Sequence, residues 1–281
     1  MPSRVVRRRT QNAFLYAAMA LSFAVFVFPL LWVLSTSLKT VPELFAAPPI
    51  LVPSDPQWGN FLHVTETTGV LVYMRNSLVI VLGTIVLVAL IAVPSAYALS
   101  RFAFRGRTVY MRGVLALQLI SPIIVAVPLY RLFVALGLIN NIAALIFVYA
   151  ALQIPSAVWF LTGYMNTVPI ELDEAALTDG ASRLRALRSV ILPMAAPGIA
   201  SVLIVVAVAS WAQFVVPYIL LNDQSTYPVS VGVINLKSTL GAVTTQYLAA
   251  GSILAILPVI VLFVVFQRFI VGALTDGAIK G

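Results

Sequence analysis

Nine carboxylates, one histidine and no cysteine are what the chain offers for acid–base, nucleophilic or metal chemistry. Without a thiol there is no disulfide framework, no thiolate nucleophile and no cysteine zinc site, and the single imidazole of His63 cannot build a histidine cluster. The sequence also lacks the phosphate loop G-x-x-x-x-G-K-[ST], the H-E-x-x-H pair and the G-x-S-x-G nucleophile turn. Nucleotide hydrolysis and the common hydrolase layouts are therefore not encoded, and the chain does not read as an enzyme. What stands out is a concentration of charge: Glu171, Asp173, Glu174 and Asp179, followed at once by Arg183, Arg185 and Arg188.

The spacing around these charges predicts two short helices within 166–194. Pro169 suits a first helical turn, Glu171, Asp173 and Glu174 complement the positive end of the helix dipole, and Gly180 falls where a left-handed residue ends a helix. Ser182 can cap a second helix, whose Leu184, Leu187 and Ile191 recur at helical spacing until Pro193 halts it. The product is an amphipathic elbow. It suits two surfaces equally: the groove of a soluble partner, or anionic lipid with the arginines among the headgroups.

The elbow must be carried by the rest of the chain, and the rest is oil. Of 281 residues 61% are hydrophobic and 9% charged, with a mean hydropathy of +1.04, whereas soluble domains are about 45–50% apolar and about 25% charged. So few charges cannot cover a water-soluble globule, so the chain is expected to be an all-α, polytopic membrane protein. Uncharged apolar runs at 13–34, 77–100, 113–130, 142–165, 195–221 and 247–267 give six transmembrane helices. The first has 22 residues, about 33 Å of helix against a hydrocarbon core of about 30 Å. It is too long for a secretory signal peptide, so it is expected to stay in the mature protein.

Charge sets the orientation. With the N-terminus inside, Arg4, Arg7, Arg8, Arg9, Arg101, Arg105, Arg107, Arg112, Arg183, Arg185, Arg188, Arg268 and Lys280 are cytoplasmic, and only Lys39, Arg75, Arg131 and Lys237 face out. This is the bias of the positive-inside rule, and it places both termini in the cytoplasm. The net charge of +8 is thereby explained by topology and not by nucleic acid. Outside, the proline-rich segment 39–75 reads as a lid or docking loop, and 222–246 as a connector or a loop reaching toward a partner.

No carboxylate lies within a span: Glu43, Asp55, Glu66 and Asp223 fall in outside loops, and Glu171, Asp173, Glu174, Asp179 and Asp276 inside. A proton relay therefore has nothing at membrane depth to run on, although sodium coupling through carbonyls stays open. Pro29, Pro94, Pro122, Pro128, Pro155, Pro197, Pro217 and Pro258 lie in or beside the spans and predict kinked or broken helices, as in transport paths.

The elbow also resembles a known family. Glu174-Ala175-Ala176, Asp179-Gly180-Ala181, Ile191, Leu192-Pro193 and Pro197 are similar to the EAA loop of ABC importer permeases. The resemblance extends over most of the chain and points to the carbohydrate-uptake, maltose-transporter MalG-like group. It is carried by Asn76-Ser77-Leu78, by Ala96 to Phe102 with Phe104-Arg105-Gly106-Arg107, and by Leu136-Gly137-Leu138 with Asn140. Gln267-Arg268-Phe269, Gly272, Leu274 and Gly277-Ala278 to Lys280-Gly281 complete it. Two positions depart from the pattern: Leu187 replaces an aromatic, and Trp211-Ala212-Gln213-Phe214 replaces a Trp-Asn-acidic-Phe motif.

The resemblance implies one transmembrane permease domain over residues 1–281 in a bacterial or archaeal plasma membrane, with 166–194 as its coupling loop. Its partners would be a second homologous permease, a dimer of ATPase subunits and an extracytoplasmic sugar-binding protein. ATP and Mg would belong to the ATPase, with no cofactor on this chain. Closure of the ATPase pair on ATP would rotate the spans through the elbow, Glu174, Ala175, Ala176, Asp179, Gly180, Leu184, Leu187 and Pro193 forming the coupling contact. A path for sugar hydroxyls and C–H faces wants amides, hydroxyls and aromatic platforms, and Gln118, Ser121, Gln153, Trp159, Trp211, Gln213 and Tyr218 offer them. The expected function is ATP-driven import of a sugar, an oligosaccharide or disaccharide of maltose or trehalose type. The alternatives are an ion-coupled carrier, a membrane scaffold, or an importer of another solute such as a glycerol phosphate.

Overall fold

The computed structural model describes residues 3–240 and 245–278, with side chains at 12, 14–236 and 245–265. The positive N-terminal residues, Lys237, and the C-terminal motif from Gln267 to Gly281 therefore lie outside the described side chains. In chain order the helices are α1 (Ser3–Ser37), α2 (Val41–Leu44), α3 (Gly59–Thr67), α4 (Val70–Arg101), α5 (Arg107–Leu117), α6 (Pro122–Ala135), α7 (Ile142–Met165), α8 (Glu171–Thr178), α9 (Arg183–Ala186), α10 (Leu192–Ala212), α11 (Val215–Leu220), α12 (Val229–Leu240) and α13 (Thr245–Ala278). No strand occurs among the described residues. Among the described residues five helices are long and apolar enough to cross a membrane, and α5 with α6 makes a sixth span if the bent pair is counted as one.

The third predicted span is thus corrected: it is no single helix. α5 and α6 meet at 87° across a short break. The break has a local cause, since the Ser121 hydroxyl accepts from the Ile123 amide and Pro122 occupies the first helical turn, so a new helix starts there. The fifth span also breaks, at Gln213–Phe214 between α10 and α11. Pro29, Pro94, Pro128, Pro155, Pro197 and Pro258 sit inside continuous helices.

The contacts divide the chain into two units. The first comprises 1–68 and 235–256. Here Gln57 donates its amide to Leu38 O (2.8 Å) and Asn60 Nδ2 donates to Ser37 O (2.8 Å), folding the proline-rich segment onto the end of α1. The carboxylate of Glu43 accepts from the amides of Thr40 (3.1 Å) and Ser54 (2.9 Å) and from the Ser54 hydroxyl. These bonds hold its pKa down at about 2. His63 lies on the exposed side of α3 and not in a loop, its ring 4.5 Å from that of Tyr247.

The second unit comprises 69–234 and 257–281. α4 and α7 form its central pair, and α10 packs on both. Ile80, Phe133, Leu145, Tyr149, Val216, Leu220 and Leu221 make one buried cluster toward the α11 end. A second cluster joins α4 and α7 to the elbow through Tyr97, Leu161, Met165, Leu187 and Ile191. Asn76 and Ser77 now have a structural account. Asn76 Nδ2 donates to Ser225 O (2.7 Å) and Tyr227 O (3.1 Å), and Ser77 Oγ accepts from the Val229 amide (2.8 Å), so the start of α4 pins the loop that leads into α12.

Candidate functional site

Two regions of the second unit carry the polar chemistry. The elbow begins with α8, whose first turn holds Glu171, Asp173 and Glu174. Ile170 is the N-cap, so Pro169 stands one residue ahead of the cap and not within the first turn of the helix. The helix ends as glycine at 180 implies. Gly180 has φ +83°, its amide donates to Leu177 O (3.0 Å), and the Ala181 amide donates to Ala176 O (3.0 Å). This is the paired closure in which a left-handed residue satisfies the last carbonyls. Ser182 then caps α9, its hydroxyl accepting from the Arg185 amide (3.3 Å).

Pro193 does not halt the second elbow helix. α9 runs through a π-turn at Leu187–Ile191 into α10, giving one apolar span from Arg183 to Ala212. The reason lies in the wider turn: the Leu192 amide reaches back to Leu187 O, so the register shifts by one just where Pro193 has no amide to give. The elbow is consequently continuous with a span.

Its side chains divide into two sets. Glu174, Ala175, Asp179, Gly180, Leu184 and Pro193 are exposed and Ala176 is half-buried. Leu184 stands 57% exposed, whereas Leu187 is buried in the core against α4 and α7. Of the two expected apolar anchors, only Leu184 is presented outward; Leu187 fastens the elbow from beneath.

Sequence spacing gave no hint of the group behind the elbow. Asp173 is buried, paired with Arg101 at the end of α4. Tyr97 Oη donates to Asp173 Oδ1 (3.0 Å) and Arg101 Nη2 donates to Val168 O (2.8 Å). The two charged residues are 72 positions apart, so only the fold brings them together.

The second region is a cavity of about 290 Å³, lined in part by Gln118, Tyr149, Gln153, Ser156, Ser210 and Gln213. It forms where helices break, because Gln118 is the C-cap of α5 and Gln213 the C-cap of α10. Broken backbone exposes polar groups, and those facing a cavity can be met by water, solute or side chains. The Gln213 carbonyl accepts from Tyr149 Oη (3.4 Å) and Ser230 Oγ (2.8 Å), and Gln153 Nε2 donates to Ser210 Oγ (3.4 Å). Three expected path residues, Gln118, Gln153 and Gln213, therefore converge. Trp159, Trp211 and Tyr218 are not among the lining residues: Trp159 stacks edge-on with Phe160, Tyr218 stacks on Phe214, and Trp211 is half-buried. Ser121 caps α6 instead. Tyr149 and Ser156 were missed, although with Gln153 they form an i, i+4, i+7 stripe on α7 that helical spacing exposes.

Apolar spans, a cavity at two helix breaks whose lining mixes amides and hydroxyls with apolar side chains, and a charged elbow continuous with one span define a membrane transport chain. The chain belongs to the family of binding-protein-dependent transport system inner membrane components, whose family model matches residues 89–275. It is 32% identical over 271 residues to the inner membrane ABC transporter permease protein YcjP of Escherichia coli, covering 95% of each chain. It is 31% identical to the trehalose/maltose transport system permease protein MalG of Thermococcus litoralis, covering 91% of this chain and 92% of that one. It is 33% identical to the galactooligosaccharides transport system permease protein GanQ of Bacillus subtilis, covering 98% of both. In fold it is similar to a chain of a bacterial ABC transporter involved in the import of the acidic polysaccharide alginate, with a TM-score of 0.78 at 21% identity, covering 92% of this chain and 96% of that one.

Proposed function

We propose that the chain is one permease half of an ATP-driven, binding-protein-dependent importer of an oligosaccharide or disaccharide, acting as a single transmembrane domain with both termini in the cytoplasm. The observation that carries the reading is the elbow. A two-helix segment that turns at Gly180, exposes Glu174 and Leu184, and continues from Arg183 without interruption to Ala212 delivers any displacement of its tip to a span that lines the polar cavity. Such a segment suits docking into a groove of a soluble ATPase subunit better than lying on lipid. Although Arg183 and Arg185 flank its exposed Leu184, the elbow also exposes Glu171, Glu174 and Asp179, carboxylates that anionic headgroups would repel.

In this reading Leu184 enters the ATPase groove and Glu174 and Asp179 make polar contacts at its rim, while Ala175, Ala176 and Pro193 shape the docking face. Gly180 sets the turn and Leu187 anchors the elbow to the core. ATP and Mg stay in the ATPase dimer, whose closure and reopening rock the spans between two arrangements. A second permease half completes the conduit, and an extracytoplasmic binding protein delivers the sugar. The relatives named for trehalose, maltose and galactooligosaccharides support the substrate class. Gln118, Gln153 and Gln213 supply the amides that sugar hydroxyls need.

The test is assembly followed by transport. Coexpressed with a second permease, an ATPase and a binding protein from the same organism, the chain should co-purify with the ATPase and take up labelled disaccharide or oligosaccharide in proteoliposomes only with ATP. A complex that assembles but imports only a non-sugar solute would refute the substrate class.

A further inference from the structure

The last turn of α4 grips both halves of the elbow. Arg101 spends its guanidinium three ways: Nε pairs with Asp173 on α8, Nη2 donates to Val168 O in the α7–α8 linker (2.8 Å), and Nη1 donates to Ser100 Oγ (3.2 Å). Ser100 Oγ in turn donates to Asn166 Oδ1 at the end of α7 (2.8 Å). Tyr97 Oη occupies the other oxygen of Asp173. One residue beyond the helix, the Phe102 ring lies 4.8 Å from the Arg183 guanidinium on α9. The side chains of Arg101 and Asp173 are 5% and 6% exposed. A surface ion pair is worth little and tolerates sliding, but a buried, fully hydrogen-bonded pair holds its partners in one geometry, because separating them strands a charge.

We infer that Arg101 and Asp173 are positioning residues that lock the elbow to α4, so that displacement of the elbow moves α4 as well as α10. Chain continuity alone would deliver the motion to α10 and, through the short linker before α8, to the end of α7, but not to α4. With the latch closed, α4 and the linker after α7 travel with the elbow, and the α4–α7 pair that frames the second unit is driven from its cytoplasmic end. Neither residue touches solute or the docking face; both act through the helices they join. The inference rests on the permease reading given above.

The experiment uses the full transporter in proteoliposomes and records three quantities: ATPase retained on purification, ATP hydrolysed, and sugar imported per ATP. Asp173→Asn and Arg101→Gln each leave one uncompensated buried group and should reduce assembly. The double variant Arg101→Gln/Asp173→Asn removes both charges, should recover assembly and hydrolysis, and should still import at least about fivefold less sugar per ATP. Recovery of assembly without recovery of coupling is what a merely structural pair would not produce. A double variant with wild-type sugar per ATP overturns the latch. If the double variant does not assemble, Tyr97→Phe decides, because it removes only one hydrogen bond: sugar per ATP should fall about twofold, and a wild-type ratio overturns the proposal. A wild-type complex without ATP-driven uptake removes the permease reading and the latch with it, whereas a coupled wild type beside a coupled double variant removes the latch alone.

Discussion

Replacing Gly180 perturbs the elbow at one backbone angle and nowhere else. Its φ is +83°, and a Cβ built on it meets no atom within 4 Å, so the added carbon itself collides with nothing. The cost is conformational: a non-glycine L-residue in this region loses roughly 1–2 kcal/mol, a factor of about 5–30 in the balance between the closed turn and a relaxed one. Relaxing the angle releases the bonds from Gly180 to Leu177 O and from Ala181 to Ala176 O, and swings α9 and Leu184 away from α8. Asparagine tolerates the left-handed region, alanine less so, and β-branched valine least. ATPase retention and sugar per ATP should therefore fall in the order Gly, Asn, Ala, Val, with Gly180→Ala about 5–30-fold below wild type if docking requires the closed turn. Pull-down of the ATPase with a titrated salt wash measures retention, and proteoliposome uptake measures coupling. Wild-type assembly and uptake in Gly180→Val would show that docking does not depend on the left-handed turn.

The two elbow leucines separate docking from stability: Leu184→Glu should abolish ATPase retention while the free chain keeps its thermal stability. Leu187→Ala should destabilise the chain itself by about 2–5 kcal/mol, seen as a lowered melting temperature in detergent. In the cavity, Gln153→Leu should lower sugar uptake about 2–12-fold, the value of one ordinary hydrogen bond, without altering ATPase retention, whereas Trp159→Phe should leave uptake unchanged. Glu43 tests the first unit by pH. Its carboxylate titrates at about 2 instead of the usual 4.5, so its stabilisation is complete above 4.5 and is lost as the pH falls toward 2. Segment 40–57 should resist pepsin at pH 4 in the wild type and be cut in Glu43→Gln, as mass spectrometry of the fragments would show.

Local rules carried the sequence a long way. The turn at Gly180 and the cap at Ser182 each depend on residues within a few positions of one another, so spacing alone exposes them. The apolar runs were equally legible because lipid imposes one requirement along a whole helix. Failures came where local signals competed or where partners were distant. Pro193 reads as a stop, yet a π-turn absorbs its missing amide. The third run reads as one span, and although Pro122 signals a kink or break within it, the 87° turn and the fresh cap at Ser121 are set by the fold. The Arg101–Asp173 pair and the meeting of Gln118, Gln153 and Gln213 join residues from separate helices, and no spacing rule reaches across them. The aromatic candidates lie off this cavity for a related reason: a tryptophan in a span is large and apolar wherever it points, and its type does not say which face it occupies.

The central claim is that this chain is moved by a hydrolysing partner through its elbow and has no drive of its own. It is tested most directly by comparing sealed vesicles that hold the chain and its permease partner alone with vesicles that also hold the ATPase and binding protein. Uphill sugar accumulation is expected only in the second set and only with ATP, with imposed proton or sodium gradients giving none in the first. Accumulation driven by an ion gradient in vesicles free of the ATPase would contradict that claim.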